Sequence, residues 1–425
     1  MLNLIGVIIS FIIIIFLIRK KFNFGISLII GSIIVGIFSF ETINIIDFRN
    51  AYIEALIYNF KNNQIQTEAI ELALLLTLIF SLAKCMQETG AIKNLIDSLR
   101  PTFKKGDTLG FIPAIYGLMP VPGGALFSAP AIDEEGNKYN LDKNQKNFLN
   151  IWFRHVWFSI YPISFAMILI CSAEFSNIEI HKLILANIPA FLASVFIGLF
   201  FLKRFIKNSP KQEINVNKNR SDLIFLIPPL LPVFVYVILW VFDFPDVRSF
   251  LIGVILSIFV LYLLTKNKKI NFFEIFKKSL TWKLALAIFG ILIFRKMIEI
   301  SGTTGTIADI IKSTPFPAIS MVVLLPVIFA FLTGYNVAGV ALSYPIVSPF
   351  FPDPLSQITL IGLTSLIFVS SIIGYIISPI HLCNVLSSDY LKTDTTRMYK
   401  RFIPAALSVL FVQIIIITSV IFFFG

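Results

Sequence analysis

Three short stretches hold the residues best able to do chemistry: "GLMPVPGGALFSAP" (Gly117 to Pro130), "GVALSYP" (Gly339 to Pro345) and "SPIHLCN" (Ser378 to Asn384). Each lies inside an apolar run yet supplies prolines, glycines, hydroxyls or an ionisable ring. Proline lacks the N–H that a helix interior needs and glycine weakens a helix, so Pro120, Pro122, Gly123 and Gly124 should end one helix and open another. A helix that starts inside hydrocarbon presents unpaired N–H groups and the positive end of its dipole, a combination that attracts anions. Gly123 and Gly124 would let a solute approach the backbone, and Ser128 and Ser343 are expected to hydrogen-bond it. Asn336 and Gly339 supply a second tip of the same kind. Pro162 and Pro379 interrupt two further apolar runs, and Ser378, His381 and Asn384 flank the second interruption. An ionisable residue inside a membrane defaults to a function, which for His381 is the carriage of a proton.

Other chemistries are less well served. Ser128 with His155 or His381 could be imagined as an intramembrane hydrolase, but no Gly-x-Ser-x-Gly elbow is present. No P-loop pattern is present for ATP. Cys85, Cys171 and Cys383 stand singly and the three histidines are widely separated, so the cysteines are expected in the core and no metal site is expected. Arg154 and His155 lie one to two turns inside the run that starts near Asn147. There Arg154 is expected to snorkel to the interface, with an anion partner as the alternative. Arg295, Lys296 and Glu299 are expected to pair with one another.

The elements that must position these residues follow from composition. Of 425 residues 57% are hydrophobic and 14% charged, including 44 phenylalanines, and the mean hydropathy is +0.86. This describes an all-α polytopic membrane protein in a lipid bilayer. The net charge of +11 lies in short loops with no basic stripe of interleaved aromatics, which excludes a nucleic-acid partner. Expected spans are 2–18, 23–40, 68–87, 147–172, 182–202, 222–242, 249–265, 283–300, 356–388 and 401–424, about ten transmembrane helices. The stretches 109–132 and 317–350 are expected as two re-entrant hairpins. Arg19, Lys20 and Lys21 follow the first run with no basic residue before it, the wrong polarity for a cleaved signal, so it reads as a retained helix. With the N-terminus outside, inner loops hold 27 lysines and arginines and outer loops 5. That bias predicts a cell-membrane protein with both termini outside.

The chain also repeats itself. Thr89, Gly90, Ala91 and Ile92 find Thr304, Gly305, Thr306 and Ile307 at an offset of 215, which also relates Ile96 to Ile311 and Ser98 to Ser313. The same offset carries Gly124, Ser128 and Pro130 onto Gly339, Ser343 and Pro345. Ile160 to Ser164 matches Ile377 to His381 at 217. The chain therefore reads as two repeats, 1–205 and 222–425, joined by a polar cytoplasmic linker at 206–221. Five spans in each would make them inverted copies, a recurring build of carriers that work by alternating access.

A re-entrant hairpin followed by a proline-broken helix, present in both halves, resembles the ion transporter superfamily of gluconate permeases, citrate and dicarboxylate symporters and some sodium/proton antiporters. "GLMPVPGGALFSAP" and "SPIHLCN" are most similar to an integral membrane family within it that is defined as a domain of unknown function. The resemblance implies a homodimeric secondary transporter, with Gly123, Gly124 and Ser128 at the first tip and Asn336, Gly339 and Ser343 at the second. The Ser-Asn-Thr tip motif of the dicarboxylate and sodium members is absent from both hairpins. The expectation is an ion-coupled permease for a small organic anion, not an enzyme, needing no cofactor and coupled to sodium or a proton. A passive anion channel is the alternative.

Overall fold

Apolar runs punctuated by glycine and proline become a helical assembly in the computed structural model, which describes residues 2–60, 62–99, 106–119, 123–206, 221–266, 270–303, 305–306 and 318–425. Pro120, Pro122, linker residues 207–220, Thr304, Ile307, Ile311 and Ser313 lie outside the described residues. Helices α1 (Leu2–Arg19), α2 (Phe24–Phe38) and α3 (Ile45–Leu56) lead into a two-stranded hairpin, β1 (Tyr58–Asn59) with β2 (Gln64–Ile65). Then come α4 (Glu68–Glu88), α5 (Ala91–Leu99), α6 (Thr108–Gly117), α7 (Ala125–Lys138), α8 (Lys143–His155), α9 (Phe165–Cys171) and α10 (Ile180–Phe205). A 3-10 turn at Ser221–Leu226 opens the rest: α11 (Ile227–Trp240), α12 (Asp246–Thr265), α13 (Phe272–Ser279) and α14 (Trp282–Ile300). The chain ends with α15 (Ala318–Thr333), α16 (Asn336–Val347), α17 (Gln357–Ile376), α18 (Leu382–Leu391) and α19 (Thr395–Phe424).

Seven segments among the described residues are helical, long and apolar enough to cross a membrane: α1, α4, α10, α12, α17, α19 and Asp222–Trp240. The other three expected spans differ for local reasons. Helix α2 has 15 residues between the Asn23 cap and Ser39. Helix α14 carries Lys283, Arg295, Lys296 and Glu299. The run 147–172 is two helices, because α8 stops at His155 and Ser164 caps a fresh start at α9.

The described helices pack as two groups. In one, α1 lies on α2, α2 on α14, α11 on α12 and α12 on α4. Backbones approach closely here: a β-carbon on Gly25 would stand 2.1 Å from the Leu286 carbonyl oxygen, so α2 and α14 cross through glycine as membrane helices commonly do. In the other group α15 packs on α16 and α17, α17 on α19, α10 on α19, α6 on α8, and α7 on α18. Charged and polar links between the groups gather on residues 173–181. Glu174 pairs with Arg295 of α14 (2.5 Å), Ala173 N–H donates to Glu68 (2.9 Å) and Ile180 N–H donates to Asp246 (2.9 Å). Arg295 therefore does not pair with Glu299; Lys296 does (3.2 Å), and it also reaches Glu54 (2.9 Å).

The left-handed glycines do not follow the expected offset of 215. Gly90 and Gly302 both adopt left-handed backbone (φ +72° and +71°) after α4 and α14, and Gly123 and Gly334 do so (φ +72° and +67°) two residues before α7 and α16. These pairs lie 212 and 211 residues apart, not 215. On the 211-residue spacing of Gly123 and Gly334, Gly124 falls opposite Tyr335 and Ser128 opposite Gly339. The physical reason is helical geometry: small residues spaced by four keep to one helix face, so a slip of about one turn preserves the match.

Candidate functional site

The first hairpin closes around an arginine. Arg154 lies in the last turn of α8, is 2% exposed, and donates from Nη1 to Tyr116 O (2.7 Å) and from Nη2 to Met119 O (3.2 Å). These carbonyls belong to the end of α6, where a cation complements the dipole and orphan acceptors need donors. A β-carbon on Gly124 would stand 2.0 Å from Arg154 Nη2, and one on Gly117 would stand 2.1 Å from Arg154 O. Two glycines therefore let the hairpin fold onto Arg154, Gly124 against its guanidinium and Gly117 against its backbone carbonyl. The snorkelling expectation is overturned: α8 ends at His155, so Arg154 sits at a buried helix end at the chain break, not near the entry of a long span.

Both hairpins are held in the same way. In the break between α8 and α9 the Tyr161 hydroxyl donates to Leu118 O (2.7 Å), just past α6. In the break between α17 and α18 the Ser378 hydroxyl donates to Phe331 O (2.6 Å), near the end of α15. Each interruption thus supplies a donor to the first arm of its own hairpin. Pro162 and Pro379 lie in these breaks, the first buried and the second exposed.

The tips, the first break and the helix ends that flank the second enclose a cavity of about 200 Å³ lined by Gly123, Arg154, Tyr161, Asn336, Tyr375 and Cys383, among others. Phe80 of α4 and Leu284 of α14 contribute to its wall, so it lies between the two helix groups. Asn336 and Val337, the first turn of α16, face it, and that helix start has no side-chain cap. Arg154 is the one permanently charged side chain in the described lining. A guanidinium and a helix N-terminus give the space a positive character, suited to a small oxyanion.

The residues singled out from sequence divide between lining and scaffold. Gly123 and Asn336 line the cavity, while Gly124 lies against Arg154. Ser128 is fully buried and donates to Asn150 Oδ1 (2.5 Å), whose amide donates to Ser387 (2.8 Å) and to Ala125 O (2.9 Å). Asn384 belongs to the same polar lattice through Ser388 (3.2 Å), which accepts from Asn147 (2.8 Å). Ser343 donates to Gly339 O inside its own helix (2.5 Å), and Gly339 abuts Ala330 and Ser371 in a helix contact. His381 is fully buried.

Sequence reasoning passed over Tyr161, Tyr375, Asn150 and Cys383 and gave Arg154 the lesser role. An arginine inside an apolar run was the available signal for Arg154. The wide sequence separation of the histidines misled in a second way: His155, His381 and Cys383 bring ligating atoms within 4.8 Å of one another.

A chain of membrane-length apolar helices around a buried cavity defines an all-α, membrane-type protein. It belongs to the family described as Protein of unknown function (DUF401), whose model matches residues 2–421. No curated protein matches it.

Proposed function

We propose that the chain is a secondary transporter of a small organic anion, built as two inverted repeats that work by alternating access and placed in the ion transporter superfamily. The observation that carries this reading is the cavity where both hairpin tips, the first helix break and the helix ends flanking the second meet Arg154. Broken helices at the junction of duplicated halves are the usual solute site of such carriers, because the free helix ends supply the polar groups that hydrocarbon cannot. The guanidinium sets the sign of the solute, and the apolar remainder of the lining limits its polarity to one end. Coupling to sodium or a proton would bring the solute in against its gradient.

The test uses purified protein and proteoliposomes. A thermal-shift screen of mono- and dicarboxylates, with and without sodium, should find a ligand that raises the transition temperature with occupancy. Preloaded vesicles should then show saturable counterflow of that ligand. Flux without saturation or exchange would establish a channel instead, and a full panel of anions without any shift would remove the anion reading.

A further inference from the structure

His155 and a His-x-Cys pair more than 200 residues further along the chain, His381 and Cys383, meet where the two helix breaks come together. His155 is the last residue of α8, His381 immediately precedes α18, and Cys383 is the second residue of α18. One ligating atom from each lies within 4.8 Å of the other two, and the residues are 6%, 0% and 2% exposed. The His155 Nδ1 lies 2.7 Å from Ile151 O, which makes Nδ1 the protonated nitrogen and leaves the lone pair on Nε2. His155 Nε2 and both ring nitrogens of His381 are buried with no hydrogen-bond partner outside this cluster, and the single Cys383 thiol proton can satisfy at most one of the three. An unsatisfied buried polar atom costs about 1–3 kcal/mol, so the ring nitrogens left over at this one point call for a ligand.

We propose that His155 Nε2, a ring nitrogen of His381 and Cys383 Sγ form a site for a divalent transition metal of the zinc class, with its fourth position open to the cavity. Two imidazoles and a thiolate are a borderline-to-soft donor set, and three protein ligands with one open position are the pattern of a reactive zinc site. Metal–nitrogen bonds of about 2.0–2.1 Å and a metal–sulfur bond of about 2.3 Å place tetrahedral ligand atoms about 3.3–3.6 Å apart, so closure needs a contraction of about 1 Å. The Ile151 carbonyl already fixes the His155 tautomer, as outer-shell acceptors do for metal-bound histidines. Ring contacts hold both imidazoles: Phe158 is centred 4.6 Å from His155 and Tyr375 4.0 Å from His381.

Binding replaces the Cys383 thiol proton, which leaves to solvent, and the metal–thiolate unit keeps one positive charge. Cys383 and Arg154 line the same cavity, so the fourth position faces a space that favours water or an oxyanion. The site stands on its own geometry and does not depend on transport.

The test is titration of the full chain, affinity tag removed, with Co²⁺ and then Zn²⁺, in a Cys85→Ser/Cys171→Ser background that leaves one thiol. The expected result is one Co²⁺ per chain with tetrahedral visible bands and a thiolate-to-cobalt charge-transfer band in the near ultraviolet, both displaced by Zn²⁺. Cys383→Ser should abolish the charge-transfer band, and Cys383→Ser, His155→Gln and His381→Gln should each weaken binding by about 100-fold, the scale of one ligand's share of a zinc site. The idea is overturned if monodisperse, cooperatively melting parent protein shows no such band, or if the band and affinity survive in Cys383→Ser.

Discussion

The Arg154 guanidinium occupies the space that a β-carbon on Gly124 would need, 2.0 Å from its Nη2. The group is also anchored on Tyr116 O and Met119 O, so it cannot retreat without breaking those bonds. Gly124→Ala should therefore displace the cation from the cavity while the protein still inserts and stays monodisperse. Losing one charge-assisted hydrogen bond, about 1.5–3 kcal/mol, should weaken solute binding roughly 10- to 150-fold in calorimetric titration. Arg154→Gln should do the same, and unchanged affinity in both variants would remove Arg154 from the binding site.

Ser128→Ala and Ser343→Ala should differ from each other, in contrast to the equal effects on binding that a duplicated site implies. Ser128 satisfies Asn150 Oδ1 across a helix contact, and its loss leaves a buried acceptor that should lower stability by about 1–3 kcal/mol. Ser343 bonds within its own helix, so its removal should cost under about 1 kcal/mol. Neither should change the solute dissociation constant more than about twofold, an expectation of small coupling between non-contacting groups. Thermal unfolding in detergent with parallel binding titrations separates the two outcomes, and a binding loss in Ser343→Ala would bring that serine back to the site.

Tyr161→Phe and Ser378→Ala remove the donors that hold the hairpins. Leu118 O and Phe331 O would then each lack a partner, at about 1–3 kcal/mol apiece. Hydrogen exchange should rise at 116–119 in the first variant and at 329–333 in the second, each confined to its own hairpin. Faster exchange at both hairpins in either variant would show that the two breaks act jointly.

Sidedness has a direct check in intact cells. Cysteine at Asp353, exposed after α16, should react with an impermeant maleimide, whereas cysteine at Thr396, exposed at the start of α19, should be shielded until the cells are opened. The native cysteines are all buried, which keeps the background low. The reverse pattern would invert the orientation drawn from the loop charges.

Seven of the ten expected spans were legible in the sequence because length and apolarity decide those helices, and the breaks were legible because proline and glycine act locally. Val156 to Ser164 and Ile377 to His381 interrupt their helices around Pro162 and Pro379 as that logic requires. What escaped depends on how distant segments meet. Reading 147–172 as one span interrupted at Pro162 placed Arg154 near an interface; the stop at His155 instead leaves it at a buried helix end. The juxtaposition of His155 with His381 requires both breaks to converge, and no local pattern encodes that. The one-turn slip between Gly124 and Gly339 arose because a helix repeats its faces nearly every fourth residue.

The segment 173–181 has a kinetic meaning. It runs from the connection after α9 into the first residues of α10, in one helix group, while its partners Arg295, Glu68 and Asp246 stand on helices of the other. Elsewhere the facing surfaces around the cavity include apolar side chains such as Phe80 and Leu284, which slide without breaking hydrogen bonds. On the proposed alternating-access reading, a relative displacement of the groups would first have to undo this clasp, which would weigh on the speed of the movement more than on the tightness of solute binding. Glu174→Gln would then quicken turnover at unchanged affinity, and raising the salt concentration would act on the unsubstituted protein in the same direction through screening of the ion pair.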